Sequence, residues 1–274
     1  MIISVYQAKR LLSCKVGKID VSLDLGITVS EIFRNGNIFK FPDGQELSLK
    51  DIEKIIKKDT VCFLIKENTV VPVSLFSDET NKFYKLYPTA SWPSIEISGI
   101  RMHVTKAFTP KEDTEKKISF VQPCTGRVLD TCTGLGYTAI MASKTASEVH
   151  TFEIDESVIE IEKLNPYSVK LFSNKNIIRK NKDIFSEILK LKSNFFDVVI
   201  HDPPRLALAS LLYSELFYKE VYRVMKKQAR FYHYTGDPGS RNRNQDIRIG
   251  ITKRMEKCGF RKIIRVFNGL VAEK

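Results

Sequence analysis

The sequence predicts an α/β protein: a doubly wound, mainly parallel sheet that ends in an antiparallel hairpin, preceded by a small β-rich N-terminal domain. Three observations predict it. From about residue 100 short apolar runs alternate with amphipathic ones, the pattern of strands and helices in turn. Acids and glycines recur where the apolar runs stop, which is where parallel sheets gather ligands. The first hundred residues instead alternate apolar and polar side chains between turn dipeptides. The expected division is therefore 1–100 and 101–274.

In the first part, residues 26–49 (GITVSEIFRNGNIFKFPDGQELSL) are broken by Asn35-Gly36 and Asp43-Gly44, dipeptides that favour tight hairpin turns, so a meander is expected. SLKDIEKIIKK reads as a helix, with Ser48 as its cap and Leu49, Ile52, Ile55 and Ile56 on one face. Two strands follow in VCFLIKE and TVVPVSLF, and YPTASWPSIEISG, with two prolines and the only tryptophan, reads as a connection. The second part opens with strand GRVLDTC and helix YTAIMASKT, then strand EVHTFEI and helix ESVIEIEKL. Strand NIIRKNKD, helix IFSEILKLK and strand FDVVIHD come next. Residues 207–227 read as one long helix, RFYHYTG as the fifth strand, and RIGITKRMEKCGF as a helix stopped by Gly259. Two strands around Asn268-Gly269 close the chain.

At 274 residues and 43% hydrophobic content this is an ordinary globular chain. Gln7, Lys9 and Arg10 interrupt the apolar start too early for a signal segment, and no stretch has the length of a membrane span. A cytoplasmic protein with no membrane partner is expected, and nothing in the chain calls for an obligate protein partner. The five cysteines are scattered, without CxxC pairs or a Cys/His spacing suited to a metal, so reduced structural thiols and no metal site are expected. Charge is uneven: residues 1–100 hold 13 Lys/Arg against 12 Asp/Glu, whereas 223–265 hold 13 against 3. A basic segment of that kind attracts polyanions, nucleic acid first among them. It lacks the bulky apolar anchors of a lipid-binding helix.

The first strand end reads VLDTCTGLGYTAI, with Asp130, Gly134 and Gly136 spaced D-x-x-x-G-x-G around Thr133. The glycines permit a tight turn and close approach of a ligand. With Ala139 they also satisfy a loose dinucleotide pattern, which a carboxylate just ahead of the glycines argues against. Glu153, 23 residues after Asp130, stands where an acid can accept from two ribose hydroxyls. Asp155 beside it reads as a helix cap. Asp183 in RKNKDIF either accepts from an adenine amine or caps a helix. The fourth strand ends in His201-Asp202-Pro203-Pro204-Arg205, an acid followed by two residues with no backbone donor.

Taken together, VLDTCTGLG, FEID, NKD and DPP followed by a terminal hairpin resemble the class I S-adenosylmethionine-dependent methyltransferases, over residues 101–274. Within them, DPP is similar to the acid-Pro-Pro-aromatic signature of enzymes that methylate nitrogens conjugated to a planar system, and the chain is similar to archaeal predicted RNA N-methyltransferases. The resemblance implies S-adenosylmethionine as cofactor, held by Asp130, Thr133, Gly134, Gly136, Glu153 and Asp183, with Thr109 and Pro110 near its methionine end. It implies that Asp202, Pro203 and Pro204 carry catalysis: the carboxylate and the Pro203 carbonyl accept the hydrogens of a target amine. The implied substrate is an exocyclic amine in RNA (rRNA or tRNA), cytidine N4 of rRNA being the finer expectation. Arg205 stands where the signature has an aromatic residue; a guanidinium can stack on a base or hold a phosphate. Arg205, Arg241, Arg243 and Arg248 are the substrate-binding candidates, the last three in a Gly/Pro/Asn-rich loop after strand five.

Thr109, Pro110 and Asp113 also fit a plain helix start, and Tyr232 and Tyr234 either fill the core or offer a stacking platform. Three other functions fit the same fold or charge: a protein glutamine methyltransferase, an aminopropyltransferase acting on polyamines, and a basic RNA-binding module without catalysis. The arginine-rich loop argues against the polyamine reading, and four chemically suitable strand ends against the last.

Overall fold

The computed structural model describes residues 1–236 and 246–274, which form two compact units. The first is Met1–Asp113 with Ser157–Val169, the second Thr114–Glu156 with Lys170–Lys274.

Residues 1–101 of the first unit form three antiparallel sheets and two helices, and Ser157–Val169 adds most of helix Glu156–Leu164 and a 3-10 turn, Pro166–Ser168. Strands Gly17–Val21, Ser30–Asn35, Ile38–Lys40 and Glu46–Ser48 form the expected meander, and its turns use Gly36 and Gly44 at φ of 59° and 84°. Helix Leu49–Lys57 starts at Ser48, whose hydroxyl and backbone exchange hydrogen bonds with Asp51 in a capping box, and it buries Ile52 and Ile55. Three features of the unit escape the sequence pattern. Helix Val5–Leu12 buries Val5, Ala8 and Leu11, while Gln7, which breaks the apolar run, closes a capping box on Ser4. TVVPVSLF is two strands, Thr69–Pro72 and Ser74–Ser77, which belong to different sheets because the chain leaves the first one at Pro72. The stretch 87–99 contains strand Ser94–Ile97, paired with Lys82–Tyr87; prolines at 88 and 93 mask its periodicity.

The second unit is the doubly wound sheet. Its strands, numbered here along the chain, are β1 (Arg127–Asp130), β2 (Glu148–Glu153), β3 (Ile177–Asn181), β4 (Phe196–His201), β5 (Met225–Tyr234), β6 (Arg261–Val266) and β7 (Gly269–Glu273). Their spatial order is β3-β2-β1-β4-β5-β7-β6; the first five are parallel, and β7 runs antiparallel to both neighbours. Strand periodicity sends alternate residues to two cores. Leu129, Phe152, Val199 and Phe231 join helices Glu215–Val224 and Ile247–Lys257 on one side. Val128, Val149, Val198, Ile200 and Tyr232 join helix Tyr137–Ala142 on the other. Order reverses at β1 and β4, which places the switch point between their carboxyl ends.

The long helix expected over 207–227 is not one element. A 3-10 turn, Ser210–Tyr213, precedes helix Glu215–Val224, and Met225 already begins β5 opposite Phe196. The turn is held away from the helix by tertiary bonds: Leu212 O accepts from His201 Nε2 at 2.9 Å, and Tyr213 donates its hydroxyl to Pro204 O at 3.0 Å. Apolar Val224 and Met225 are both buried, so periodicity alone does not separate helix from strand there. No helix among the described residues is long and apolar enough to cross a membrane.

Candidate active site

The loop leaving β1 is shaped by its glycines. Gly136 caps helix Tyr137–Ala142 at φ 77°, and a Cβ there would lie 2.7 Å from the Leu171 side chain, so both backbone and packing require glycine. Gly134, at φ 55°, faces open space, with nothing within 4 Å of a Cβ position. Its N–H donates to Glu153 Oε2 at 2.9 Å, which ties the turn to the tip of β2.

Asp130 lies under this loop, not on it. It is fully buried; Oδ1 accepts from the Thr138 hydroxyl at 2.9 Å and Oδ2 from Thr151 at 2.6 Å. Thr133 Oγ1 lies 2.7 Å from Thr151 Oγ1, completing a hydroxyl chain that ends on the acid. Burial pushes the Asp130 carboxyl up to about 7 against the pull of the two threonines, and nearby Asp202 and Glu153 push the same way. Its geometry is that of an anchor for the glycine turn. Glu153, partly buried, accepts from Asp155 N at 3.0 Å as well as from Gly134. Burial raises it to about 7 despite those backbone bonds. Of the two acids, only Glu153 is partly exposed, at the tip of β2 beside the glycine turn.

Asp183 is a helix cap: Oδ1 accepts from Phe185 N at 3.0 Å and Oδ2 from the Ser186 hydroxyl at 2.9 Å. Thr109 and Pro110 open helix Pro110–Ser119, and the Thr109 hydroxyl and N–H both donate to Glu112 Oε2. These are the plain structural roles the sequence left open.

At β4 the strand ends on His201, which is fully buried. Leu212 O can only accept, so His201 Nε2 carries the proton and Nδ1 accepts from the Thr131 hydroxyl at 2.7 Å. Burial holds this imidazole down at about 3. His201 pins the turn; it does not face a ligand. Asp202 then pairs with Lys117: Nζ lies 2.8 Å from Oδ2, with the lysine side chain 3% and the aspartate 19% exposed. The same ammonium sits 4.6 Å from the centre of the Tyr234 ring. Among the described residues, no hydrogen bond is made to Asp202 Oδ1 or to the Pro203 carbonyl. Pro203 is buried, and Pro204 is exposed with its carbonyl taken by Tyr213. Two acceptors on adjacent residues at the carboxyl end of β4 are thus without a hydrogen bond among the described residues.

Arg205 is exposed, its carbonyl closing a turn with Leu208 and Ala209 N–H. Arg248 donates through Nε to Asp246, the cap of its own helix, at 3.2 Å. Arg241 and Arg243 lie outside the described residues. Tyr232 is core, its hydroxyl donating to Phe267 O, whereas Tyr234 is half-buried beneath Lys117. The sequence reading missed Lys117 and Tyr213. Lys117 lies 85 residues from its partner in an unremarkable Lys-rich helix, and no local signal marks it. The five cysteines are unbridged; burial, with Glu153 close by, keeps the Cys132 thiol well above its ordinary range. No group of three or more His, Cys, Asp or Glu suited to a metal occurs among the described residues.

No protein-family model matches the chain. It is 43% identical over 274 residues to "Uncharacterized protein MJ1233" of Methanocaldococcus jannaschii, covering 97% of this chain and 93% of that one. It is 31% identical to a polyamine aminopropyltransferase of Prochlorococcus marinus, but over 116 residues only, 40% of this chain and 39% of that one. Among solved structures, a spermidine synthase in complex with the transition-state analogue AdoDATO superimposes with a TM-score of 0.58 at 20% identity, over 76% of this chain and 77% of that one. At that identity the likeness is one of fold.

Proposed function

The chain belongs to the same family as that Methanocaldococcus jannaschii protein, and we propose that it transfers the methyl group of S-adenosylmethionine to an exocyclic amine of a base in RNA, cytidine N4 being the finer assignment. The observation that carries the reading is the pair of open acceptors, Asp202 Oδ1 and the Pro203 carbonyl, beside a carboxylate oxygen already matched by Lys117. The residues around the β1 and β2 tips suit the cofactor: Gly134 leaves space for a ligand against the backbone, and Glu153 offers a carboxylate to ribose hydroxyls. When bound, S-adenosylmethionine supplies a methyl group activated by its sulfonium.

The protein's share is alignment. An exocyclic amine shares its lone pair with the ring. Accepting its two hydrogens at Asp202 and Pro203 favours the pyramidal nitrogen that attacks. The N–CH3 bond forms as the S–CH3 bond breaks, the sulfur leaves as a neutral thioether, and the spare proton of nitrogen passes to Asp202 or to solvent. Pro203 and Pro204 offer no competing N–H donor, and Tyr213 fixes the Pro204 carbonyl. An RNA substrate accords with a cytoplasmic enzyme and with the basic run 223–265. A base inside a duplex has to be extruded first.

A second reading is favoured by the aminopropyltransferase match and the spermidine synthase fold: transfer of an aminopropyl group to a polyamine. Lys117 argues against it, because an ammonium 2.8 Å from Asp202 cancels the charge that would draw a cationic acceptor. The test offers the protein labelled S-adenosylmethionine with RNA from cells lacking this gene, and separately decarboxylated S-adenosylmethionine with putrescine. Nucleoside mass spectrometry then locates any methyl group. Label on a base amine, abolished by Asp202→Ala, is the expected result. A labelled polyamine would install the second reading, and full turnover in Asp202→Ala would overturn the mechanism.

A further inference from the structure

The first unit carries a basic surface that methyl transfer does not use. Helix Leu49–Lys57 turns Ile52 and Ile55 into its core, both fully buried, which fixes the opposite face outward. On that face Lys50, Lys54, Lys57 and Lys58, with Glu53, line a shallow open depression of about 460 Å3. The lysines follow an i, i+4, i+7, i+8 spacing and so span about 12 Å along the axis. All four are exposed, and none forms an ion pair among the described residues.

This differs from several lysines elsewhere in the unit. There Lys18 pairs with Glu31 at 3.0 Å, Lys40 with Glu46 at 2.9 Å, Lys66 with Glu67 at 3.5 Å and Lys85 with Glu96 at 2.9 Å. With 13 basic and 12 acidic residues in 1–100, the patch reflects where charge is placed, not a basic excess. Helix stability does not explain the placement. Lys57 and Lys58 suit the negative end of the helix dipole, but Lys50 sits at the positive end. Lys50–Lys54 and Lys54–Lys58 are like-charge i, i+4 pairs, each unfavourable by about 0.2–0.5 kcal/mol, which Glu53 offsets only in part.

We propose that this face grips the phosphodiester backbone of RNA. The proposal rests on the methyl-transfer reading only for the choice of RNA as polyanion. Flexible ammonium groups with no aromatic or bulky apolar side chain among them supply phosphate contacts without base stacking, so the grip is independent of sequence. Lipid headgroups share the phosphate chemistry, but a bilayer-binding helix needs apolar anchors that this face lacks.

The test titrates the full chain into a fluorescently labelled single-stranded oligouridylate at several salt concentrations and reads anisotropy. Lys50→Gln/Lys54→Gln/Lys58→Gln is compared with Lys18→Gln/Lys40→Gln/Lys66→Gln, which removes the same charge from ion-paired sites. Each lost phosphate contact lowers the slope of log affinity against log salt by about 0.7 for a single strand. The first variant is expected to lose about 2 from the slope and about tenfold or more in affinity at low salt, and the second to stay near the parent. Equal effects of the two variants, or none, would overturn the proposal. So would loss of binding to phosphatidylserine vesicles in the first variant with RNA binding kept. A parent protein that binds through these lysines yet transfers no methyl group upholds the surface and removes the methyl-transfer reading. A lysine variant that methylates RNA with unchanged KM removes the surface and leaves that reading standing.

Discussion

Lys117→Met and Asp202→Ala, made singly and together, measure whether the pair at the tip of β4 is a desolvated ion pair. Charges 2.8 Å apart attract by about 6 kcal/mol at an effective dielectric of about 20, which bounds the coupling from above. The two single variants are unequal because the partners are unequally buried, 3% against 19% exposed. Asp202→Ala takes a carboxylate away from an ammonium that is 3% exposed, and a cost of about 3 kcal/mol is expected. The Tyr234 ring 4.6 Å away returns about 1 kcal/mol of that. Lys117→Met strands a carboxylate with some access to water, and about 1–2 kcal/mol is expected. In the double variant neither charge is stranded, so its cost falls short of the sum by about 2 kcal/mol. Urea unfolding followed by far-ultraviolet circular dichroism gives these values. Tryptophan fluorescence does not serve, because Trp92, the only tryptophan, lies in the first unit. A coupling below about 0.5 kcal/mol, or one that vanishes in concentrated salt, would refute the buried pair and with it the argument that Lys117 excludes cationic substrates.

Three further outcomes follow from the site. Gly136→Ala is expected to destabilise by about 2–4 kcal/mol because strain at φ 77° adds to the clash with Leu171. Gly134→Ala is expected to cost about 1 kcal/mol in thermal melts yet weaken S-adenosylmethionine binding in calorimetry; equal melting losses for the two would contradict the geometry. Glu153 has a folded-state value near 7, above its ordinary one, so the folded protein holds the extra proton and stability falls as pH rises from about 5 to 7. Glu153→Gln should therefore gain on the parent across that window, by about 1–3 kcal/mol in melts run at both ends, and a constant difference would remove the raised value. Tyr213→Phe loses one hydrogen bond to Pro204 O, about 1 kcal/mol of stability, and is expected to lower kcat with little change in cofactor affinity; an unchanged kcat would show that the second proline needs no brace.

The large sheet was legible because its signals are local. Each strand is a short apolar run, each helix an amphipathic one, and the turn at Asn268-Gly269 needs only two residues to show itself. Elements failed to show where tertiary bonds overrule local pattern. Residues 210–213 leave the helical path because His201 and Tyr213 bond across that turn, and strand Ser94–Ile97 is sheltered by its neighbour despite flanking prolines.

The site divides along the same line. Glycines and acids at strand ends are visible because their spacing is fixed by the strand-turn-helix unit that carries them. What each acid does is not visible, because its partners come from other strands. Asp130 turns from an open ligand into an anchor only when Thr151 of β2 and Thr138 of the following helix are brought against it. Asp183 becomes a cap through residues two and three positions on, and there the sequence left both readings standing because both use the same letters. Lys117 is the extreme case: a solvated lysine by composition, it becomes a charge 2.8 Å from the candidate catalytic acid through a contact spanning 85 residues. On the proposed reading, that contact disfavours a cationic amine at the acid-Pro-Pro edge. The acid-Pro-Pro letters alone carry no sign of that ammonium, because it comes from a helix 85 residues away in the chain.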